Sequence, residues 1–202
     1  MNLDVKNRIV NKALEMYIEK GIKGVTMDMI ANELSISKRT IYEYFENKEM
    51  LVLTCLGIFS KDLEAKFVEK KNTSTNSLEY LLNLFYVNVQ VFRIVHVKFF
   101  KDIKRMFPNI QNEVEAKERK NIEEFGDVLK KAQEEGYIRT IYNIEILKKI
   151  FYMMILSLKD TSYYNFEQYP FSEVFWTNSE LFFRGIVTEK GLKLIENFNA
   201  KK

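Results

Sequence analysis

Hydrophobic residues recur at helical spacing along most of the chain. Within residues 24–53 this pattern breaks into two short runs, and each begins at a residue that can cap a helix, Thr26 or Ser37. An apolar residue stands just before each cap, so each start can also form a hydrophobic staple. Two helix starts so close together predict a short helix over about 27–34, a tight turn and a second short helix.

The second short helix has an apolar face and a polar face. Ile41, Tyr44 and Phe45 share the inner face at about 100° per residue. The opposite face and its edges offer hydrogen-bond donors for base edges and phosphates, which come from Lys38, Arg39, Thr40 and Tyr42. A further helix start after Asn47, with Lys48 in its first turn, forms a candidate phosphate clamp.

The same spacing has a plainer interpretation. Two short helices joined by a turn also occur in helical proteins that bind no nucleic acid, so the spacing by itself leaves DNA binding and a simple helical scaffold both open. The 7 glycines and 2 prolines in 202 residues favour helices throughout. We therefore predict an all-α fold of about nine helices.

Beyond residue 47 the pattern predicts a chain of longer helices, at about 48–70, 78–97, 98–106, 109–135, 144–158 and 171–187. The polar segment 72–77 is the predicted linker. We expect the boundary between an amino-terminal domain, 1–47, and a larger domain, 48–202, to fall inside the helix over 48–70.

The helices predicted at 144–158 and 171–187 are apolar on more than one face. Such helices must be buried twice, against their own core and against a second surface. We expect that second surface to be another copy of the chain, which makes the protein a homodimer through these helices. A thick monomeric core is the alternative.

Charge and cysteine content limit the classes of protein to which the chain can belong. Residues 1–50 contain 8 Lys or Arg and 8 Asp or Glu, so a DNA-binding surface must be a local patch. The single cysteine, Cys55, lies in an apolar helical run, where we expect a buried thiol. No leader and no membrane-spanning run are seen, so a cytoplasmic protein is expected.

The chemistry of an enzyme is not apparent in the pattern. A nucleophile with its base, a Gly-rich phosphate loop and a metal-ligand cluster are all missing at recognisable spacing, so we expect no enzyme activity, no cofactor and no metal. The adjacent glutamates at 123–124 and 134–135 are best interpreted as the solvated face of a charged helix.

Residues 21–51 resemble the amino-terminal domain of the TetR family of bacterial transcriptional regulators. The family signature combines a helix-ending glycine, a threonine cap, an Ile-Ala pair, a turn, Lys-x-Thr-Leu-Tyr, Tyr-Phe and Lys-Glu-x-Leu. The matching residues are Gly21, Thr26, Ile30, Ala31, Leu34, Ile36, Ser37, Lys38, Thr40, Ile41, Tyr42, Tyr44, Phe45, Lys48, Glu49 and Leu51.

Two positions depart from that signature. Ser35 stands in the turn where the family often has glycine, so the turn should carry some backbone strain. Arg39 stands where the family often has a small residue, and it enlarges the surface available for contact with a base.

The resemblance implies an amino-terminal helix-turn-helix domain followed by a helical ligand-binding and dimerisation domain. It implies a sequence-specific regulator, a ligand-responsive repressor that binds an inverted-repeat operator in double-stranded DNA as a dimer. The residues expected to contact DNA are Thr26, Lys38, Arg39, Thr40, Tyr42 and Lys48, with Arg39 on a base and the others on phosphates. A nucleoid-associated protein without an effector is the alternative.

The resemblance also implies a small apolar or aromatic effector, bound among the central helices. Candidate residues for its pocket are Phe85, Tyr86, Phe92, His96, Tyr152, Met153 and Trp176. The alternative for each is a core residue, or for His96 a hydrogen-bonded structural histidine.

Overall fold

The structure of the chain, a computed structural model, describes residues 3–159, 163–166 and 168–200. These residues form ten α-helices, and the prediction of an all-α protein is confirmed. The helices are α1 Leu3–Lys20, α2 Met27–Glu33, α3 Lys38–Tyr44, α4 Lys48–Thr73, α5 Ser77–Ile94, α6 Val97–Met106, α7 Pro108–Glu134, α8 Ile144–Lys159, α9 Phe171–Ile186 and α10 Glu189–Asn199.

The helices divide between two compact units. The first unit comprises Met1–Ala65 and Ile94–Glu113, and the second comprises Lys66–Arg93 and Val114–Lys202. Helix α4 is continuous through the junction between Ala65 and Lys66. The functional division after residue 47 stays a prediction.

The core of the first unit forms where α1 packs with α2 and α6 and contacts α4, while α3 packs on α2. Helix α1 buries one stripe at the spacing of an amphipathic helix. Two aromatic side chains, Tyr17 and Phe99, are among the largest that are fully buried. The other core residues include Ile9, Val10, Ala13, Ile22, Ile30, Ile41, Leu51, Val52 and Cys55.

Helix α5 lies at the centre of the second unit. Its apolar residues pack with Leu129 and Ala132 of α7, with Phe175 and Phe183 of α9 and with Ile195 of α10. Burial of each such leucine or phenylalanine stabilises the fold by about 1.5 to 3 kcal/mol. The residues that α5 buries in this core are Leu78, Leu81, Leu82, Phe85 and Val89.

The count of ten helices exceeds the predicted count of about nine because the last segment forms a separate helix. The chain leaves α9 at Val187, which is extended and pairs with Ile138 in an isolated antiparallel β-bridge. Thr188 then caps α10 by accepting a hydrogen bond from the Gly191 amide. The gap between α4 and α5 is also shorter than the predicted linker, since α4 continues to Thr73.

Helix α7 is followed by a glycine in a left-handed conformation. Gly136 has φ of +76°, a left-handed conformation that a residue without Cβ adopts without strain. The Tyr137 amide then donates to the Ala132 carbonyl at 2.9 Å. Among the described residues, every helix is too short or too polar to cross a bilayer.

Candidate nucleic-acid interface

Helix α2 begins and ends as its sequence predicts. Thr26 is extended, and its Oγ1 accepts a hydrogen bond from the Met29 amide at 3.2 Å. Beyond the helix, Ser35 has φ of +53°, so the strained turn expected from the missing glycine is present. This conformation allows the Ile36 amide to donate to the Ala31 carbonyl at 3.0 Å, which closes the turn.

Helix α3 begins at a second side-chain cap. Ser37 Oγ accepts a hydrogen bond from the Thr40 amide at 3.0 Å and lies 2.8 Å from Thr40 Oγ1. Its apolar face is buried, with Ile41 fully inaccessible and Phe45 4% exposed. The predicted inner face of α3 is thus in place.

The outer face of α3 is accessible to a ligand. The Arg39 side chain is 91% exposed, and Tyr42 is 45% exposed. Glu43 lies one helical turn beyond Arg39, with 3.5 Å between its carboxylate and Arg39 Nε. An ion pair this exposed is weak, so the guanidinium can exchange Glu43 for another acceptor.

The ammonium group of Lys38 is held by a neighbouring helix. Its Nζ donates to the Asp28 carboxylate of α2 at 2.7 Å. This hydrogen bond and the charge of Asp28 raise the pKa of Lys38, so the ammonium stays protonated at neutral pH. Lys38 and Asp28 cancel each other's charge beside the cap of α3.

Helix α4 begins at Asn47, whose Oδ1 accepts a hydrogen bond from the Met50 amide at 2.9 Å. The Lys48 side chain turns toward the protein and not toward solvent. Its Nζ donates to the Ile22 carbonyl at 2.6 Å and to the Val25 carbonyl at 2.5 Å. Burial lowers the pKa of Lys48, while the charge of Asp102 acts in the opposite direction.

The six residues expected to contact DNA therefore fall into two groups. Five of them lie on α2, α3 or their caps with exposed or half-exposed side chains, and the sixth, Lys48, has its ammonium bound to two carbonyls. Phosphate contact by Lys48 stays a prediction, and it would require that ammonium to leave both carbonyls.

Sequence reasoning missed two carboxylates near this surface. Asp28 lies in the first turn of α2 and pairs with Lys38 of α3, an ion pair that the helical pattern does not predict. Asp102 of α6 accepts a hydrogen bond from the Lys23 amide at 2.7 Å, across 79 positions of sequence. Helical periodicity in the sequence does not predict a contact between residues so far apart in the chain.

The candidate effector residues of α5 and α9 pack against one another in the second unit. The ring centroid of Phe85 lies 5.2 Å from that of Trp176 and 5.2 Å from that of Phe175. Phe92 packs edge to face on Phe171 at 4.6 Å. The space that Phe85 and Trp176 line together is about 10 Å³, the size of one water molecule.

The other effector candidates lie elsewhere. Tyr86 packs on Phe198 of α10 with ring centroids 6.4 Å apart, Tyr152 is half-exposed, and Met153 is 63% exposed. His96 belongs to the first unit. Its Nδ1 accepts a hydrogen bond from the Lys98 amide and so caps α6, which is the structural role considered as its alternative.

An apolar stripe is exposed along α8 and α9 of the second unit. Ile146, Ile150 and Met153 of α8 are each more than half exposed and lie at positions i, i+4 and i+7, and Leu181 of α9 is 67% exposed. A groove of about 400 Å³ runs between the two helices. Its lining includes Ile141, Ile146, Leu147, Ile150, Leu181 and Phe182.

Among the described residues, no group of three or more His, Cys, Asp or Glu side chains could hold a metal ion. The geometry that the structure does provide is two short capped helices, a tight turn and an exposed polar face on the second helix. This arrangement is the geometry of a helix-turn-helix motif, the class of element that many DNA-binding proteins use.

Comparison with known proteins matches the amino-terminal segment to a family model. Residues 9–55 match the family model described as "Bacterial regulatory proteins, tetR family". The HTH-type transcriptional repressor KstR2 of Mycolicibacterium smegmatis is 23% identical over 146 residues, which cover 70% of this chain and 71% of that protein. Residues 9–55 therefore form the amino-terminal domain that is described for the TetR family of bacterial transcriptional regulators.

Solved structures show the same fold over nearly the whole chain. The ketosteroid transcriptional regulator KstR2 of Mycobacterium tuberculosis aligns with a TM-score of 0.66 at 21% identity, covering 94% of this chain and 98% of that one. A putative transcriptional regulator from Saccharomonospora viridis, solved in complex with choline, aligns with a TM-score of 0.75 at 17% identity, covering 93% and 100%.

Proposed function

We propose that this regulator is a repressor that binds an inverted-repeat operator as a homodimer and releases it when a small apolar or aromatic effector binds. The observation that carries the DNA-binding part is the outer face of α3, where Arg39 is 91% exposed beside the exposed Tyr42. The proposal of repression is supported by the relative KstR2, whose name describes a repressor.

The proposed contacts divide into base and phosphate contacts. Arg39 contacts a base edge in the major groove, where bidentate pairing with guanine is the commonest specific use of arginine. Thr26, Lys38, Thr40, Tyr42 and the amino end of α4 contact phosphates on either side of that groove. Lys38 does so after exchanging the Asp28 carboxylate for a phosphate, which carries a similar charge.

The proposed dimer forms through the apolar stripe of α8 and α9. The support is the exposure of Ile146, Ile150, Met153 and Leu181 on adjacent helices, since apolar residues at helical spacing seldom face water together. A two-fold dimer places two α3 helices about 34 to 36 Å apart, one turn of DNA, or a multiple of that distance. This spacing explains why an inverted repeat is the proposed operator.

The proposed effector site lies between α5 and α9, next to Phe85 and Trp176. The space there is small, so binding requires the rings to separate. Trp176 is the only tryptophan of the chain and reports such a movement by its fluorescence. Titration with a panel of hydrophobic and aromatic compounds should change Trp176 emission at the concentrations that release the operator. Release without any change in emission would place the effector elsewhere.

The experiment that tests the proposed function compares specific with non-specific binding. A duplex is selected from a randomised library by the wild-type protein, and its affinity is measured against a scrambled duplex over a range of salt concentrations. With about four or five phosphates contacted per half-site, the logarithm of the affinity should fall by about 0.9 per phosphate as the logarithm of salt rises. Equal affinity for both duplexes would favour a nucleoid-associated protein.

A further inference from the structure

The turn that joins α1 to α2 is held from two other helices. Gly21 ends α1 with φ of +78°, and its amide donates to the Tyr17 carbonyl at 3.0 Å. Four residues later the chain reaches Val25, directly before the cap Thr26. The orientation of α2 therefore depends on how firmly the segment 21–25, here called the α1–α2 turn, is fixed.

Lys48 fixes the turn from α4. Its ammonium donates to the carbonyls of Ile22 and Val25, at 2.6 and 2.5 Å, and so joins both ends of the turn to the start of α4. The same ammonium lies 5.9 Å from the centroid of the buried Tyr17 ring. The two hydrogen bonds offset the free energy that burial of the ammonium costs. Breaking them while the ammonium stays half-buried would therefore be unfavourable.

Asp102 fixes the turn from α6. Its Oδ2 accepts a hydrogen bond from the Lys23 amide at 2.7 Å, between the two carbonyls that Lys48 binds. Helix α6 approaches so closely that a Cβ on Gly21 would lie 2.9 Å from Asp102 Oδ2 and 2.9 Å from Lys98 Cβ. The His96 amide adds a hydrogen bond of 2.8 Å to the Ile18 carbonyl near the end of α1.

We propose that Lys48 and Asp102 are positioning residues for operator binding, which clamp the α1–α2 turn and so set the orientation of α2 and of the α3 that packs on it. This inference rests on the proposed function. In this arrangement both side chains bind the protein's own backbone. Their charges act on the protein backbone, Lys48 on two carbonyls and Asp102 on the amide between them.

A positioning role and a phosphate contact have different consequences in solution. Loss of a phosphate contact weakens binding to all sequences alike and lowers the salt slope by about 0.9. Loss of a positioning residue displaces α2 and α3, which weakens base contacts that demand a fixed geometry but preserves the attraction to phosphates. The ratio of operator affinity to scrambled-duplex affinity therefore falls, while the salt slope on scrambled DNA stays the same.

The test uses Lys48→Met and Asp102→Ala in the full-length protein. Lys61→Met and Asp62→Ala are matched controls, since both residues are exposed on α4 of the same unit. The probes are the selected duplex and its scrambled counterpart, at a temperature where circular dichroism shows every variant fully folded. Each test variant should lose at least about tenfold in operator affinity. Scrambled-duplex affinity should stay within about twofold of the matched control.

Asp102→Asn distinguishes loss of this hydrogen bond from a general loss of folding. Asparagine keeps an oxygen acceptor for the Lys23 amide, so this variant should recover most of the operator affinity that Asp102→Ala loses. A parallel loss on both duplexes with a reduced salt slope for Lys48→Met would show a phosphate contact and overturn the proposal for that residue. If Lys48→Met and Asp102→Ala bind the operator as tightly as their matched controls do, the proposal is overturned for both residues. If the wild-type protein binds the selected and scrambled duplexes equally well, the proposed function itself is overturned.

Discussion

The Lys38 ammonium at the start of α3 lies 2.7 Å from the Asp28 carboxylate in the first turn of α2. Both side chains are about half exposed, 48% for Lys38 and 59% for Asp28, so water screens their attraction and the pair adds little to stability. Its larger effect is on DNA binding, because it places a negative charge beside a lysine that is proposed to contact phosphate.

Replacement of this carboxylate should therefore strengthen binding to any duplex. In Asp28→Asn, Lys38 is released and a negative charge that repels phosphates is removed. We expect higher affinity for operator and scrambled DNA alike, with a salt slope steeper by up to about 0.9. Fluorescence anisotropy over a salt series measures both quantities. Glu33→Gln makes the same charge change at an exposed residue of α2 and is the control. An equal gain there would show a general charge effect.

Arg39 should determine preference at one base pair. Arg39→Ala should cost about 1 to 3 kcal/mol on the operator and relax the preference at a single position. Arg39→Lys keeps the charge but loses the bidentate geometry, so it should keep scrambled-DNA affinity while losing most of the discrimination. Binding to a panel of operators, each with one base pair changed, is the measurement. Unchanged preference at every position would exclude Arg39 as a base contact.

The left-handed conformation of Ser35 offers a test of stability. A non-glycine residue in this region costs about 1 to 2 kcal/mol. Glycine avoids that cost but gives up about 0.4 to 1 kcal/mol through the larger entropy of the unfolded chain. Ser35→Gly should thus be neutral or stabilising, up to about 1.5 kcal/mol. Ser35→Val should be destabilising, because a β-branched residue tolerates positive φ poorly. Urea denaturation gives both values, and a stabilising valine would contradict the strain.

Cys55 should be inert in the folded protein. The thiol is 1% exposed, and its Sγ donates to the Val10 carbonyl at 3.5 Å. Burial raises the pKa of Cys55 to about 12, so the reactive thiolate is scarce at neutral pH. Iodoacetamide should modify the native protein slowly and the urea-unfolded protein completely, as measured by mass spectrometry. Rapid modification of the native protein would show that α1 and α4 separate easily at this point.

The apolar stripe of α8 and α9 should hold the dimer together. Leu181→Glu places a charge on a residue that is 67% exposed in the single chain and buried in the proposed dimer. Sedimentation equilibrium should then give the mass of one chain, 24.1 kDa, in place of two. Val68→Glu is the control, since Val68 is 57% exposed on α4. Dissociation by both variants, or by neither, would contradict the proposed interface.

Local rules predicted much of the helix-turn-helix correctly. Thr26, Ser37 and Asn47 each accept a hydrogen bond from an amide three residues later. Such a contact depends only on neighbouring residues, so the sequence predicts it. The strained Ser35 and the glycine end of α7 at Gly136 follow from similarly local geometry. The extra helix α10 was missed as a separate element because Val187 leaves the helix to pair with Ile138, a contact 49 residues away in sequence.

The sequence by itself determined which segments are helical, where the short helices begin and which face of α3 is polar, because caps and helical periodicity act over three to four residues. The tertiary structure alone decided the partners of the charged side chains. Lys48 lies in a helix start typical of a phosphate clamp, yet its ammonium binds the Ile22 and Val25 carbonyls. The direction of a long, flexible side chain depends on which acceptors the fold brings near it, and those acceptors are remote in sequence.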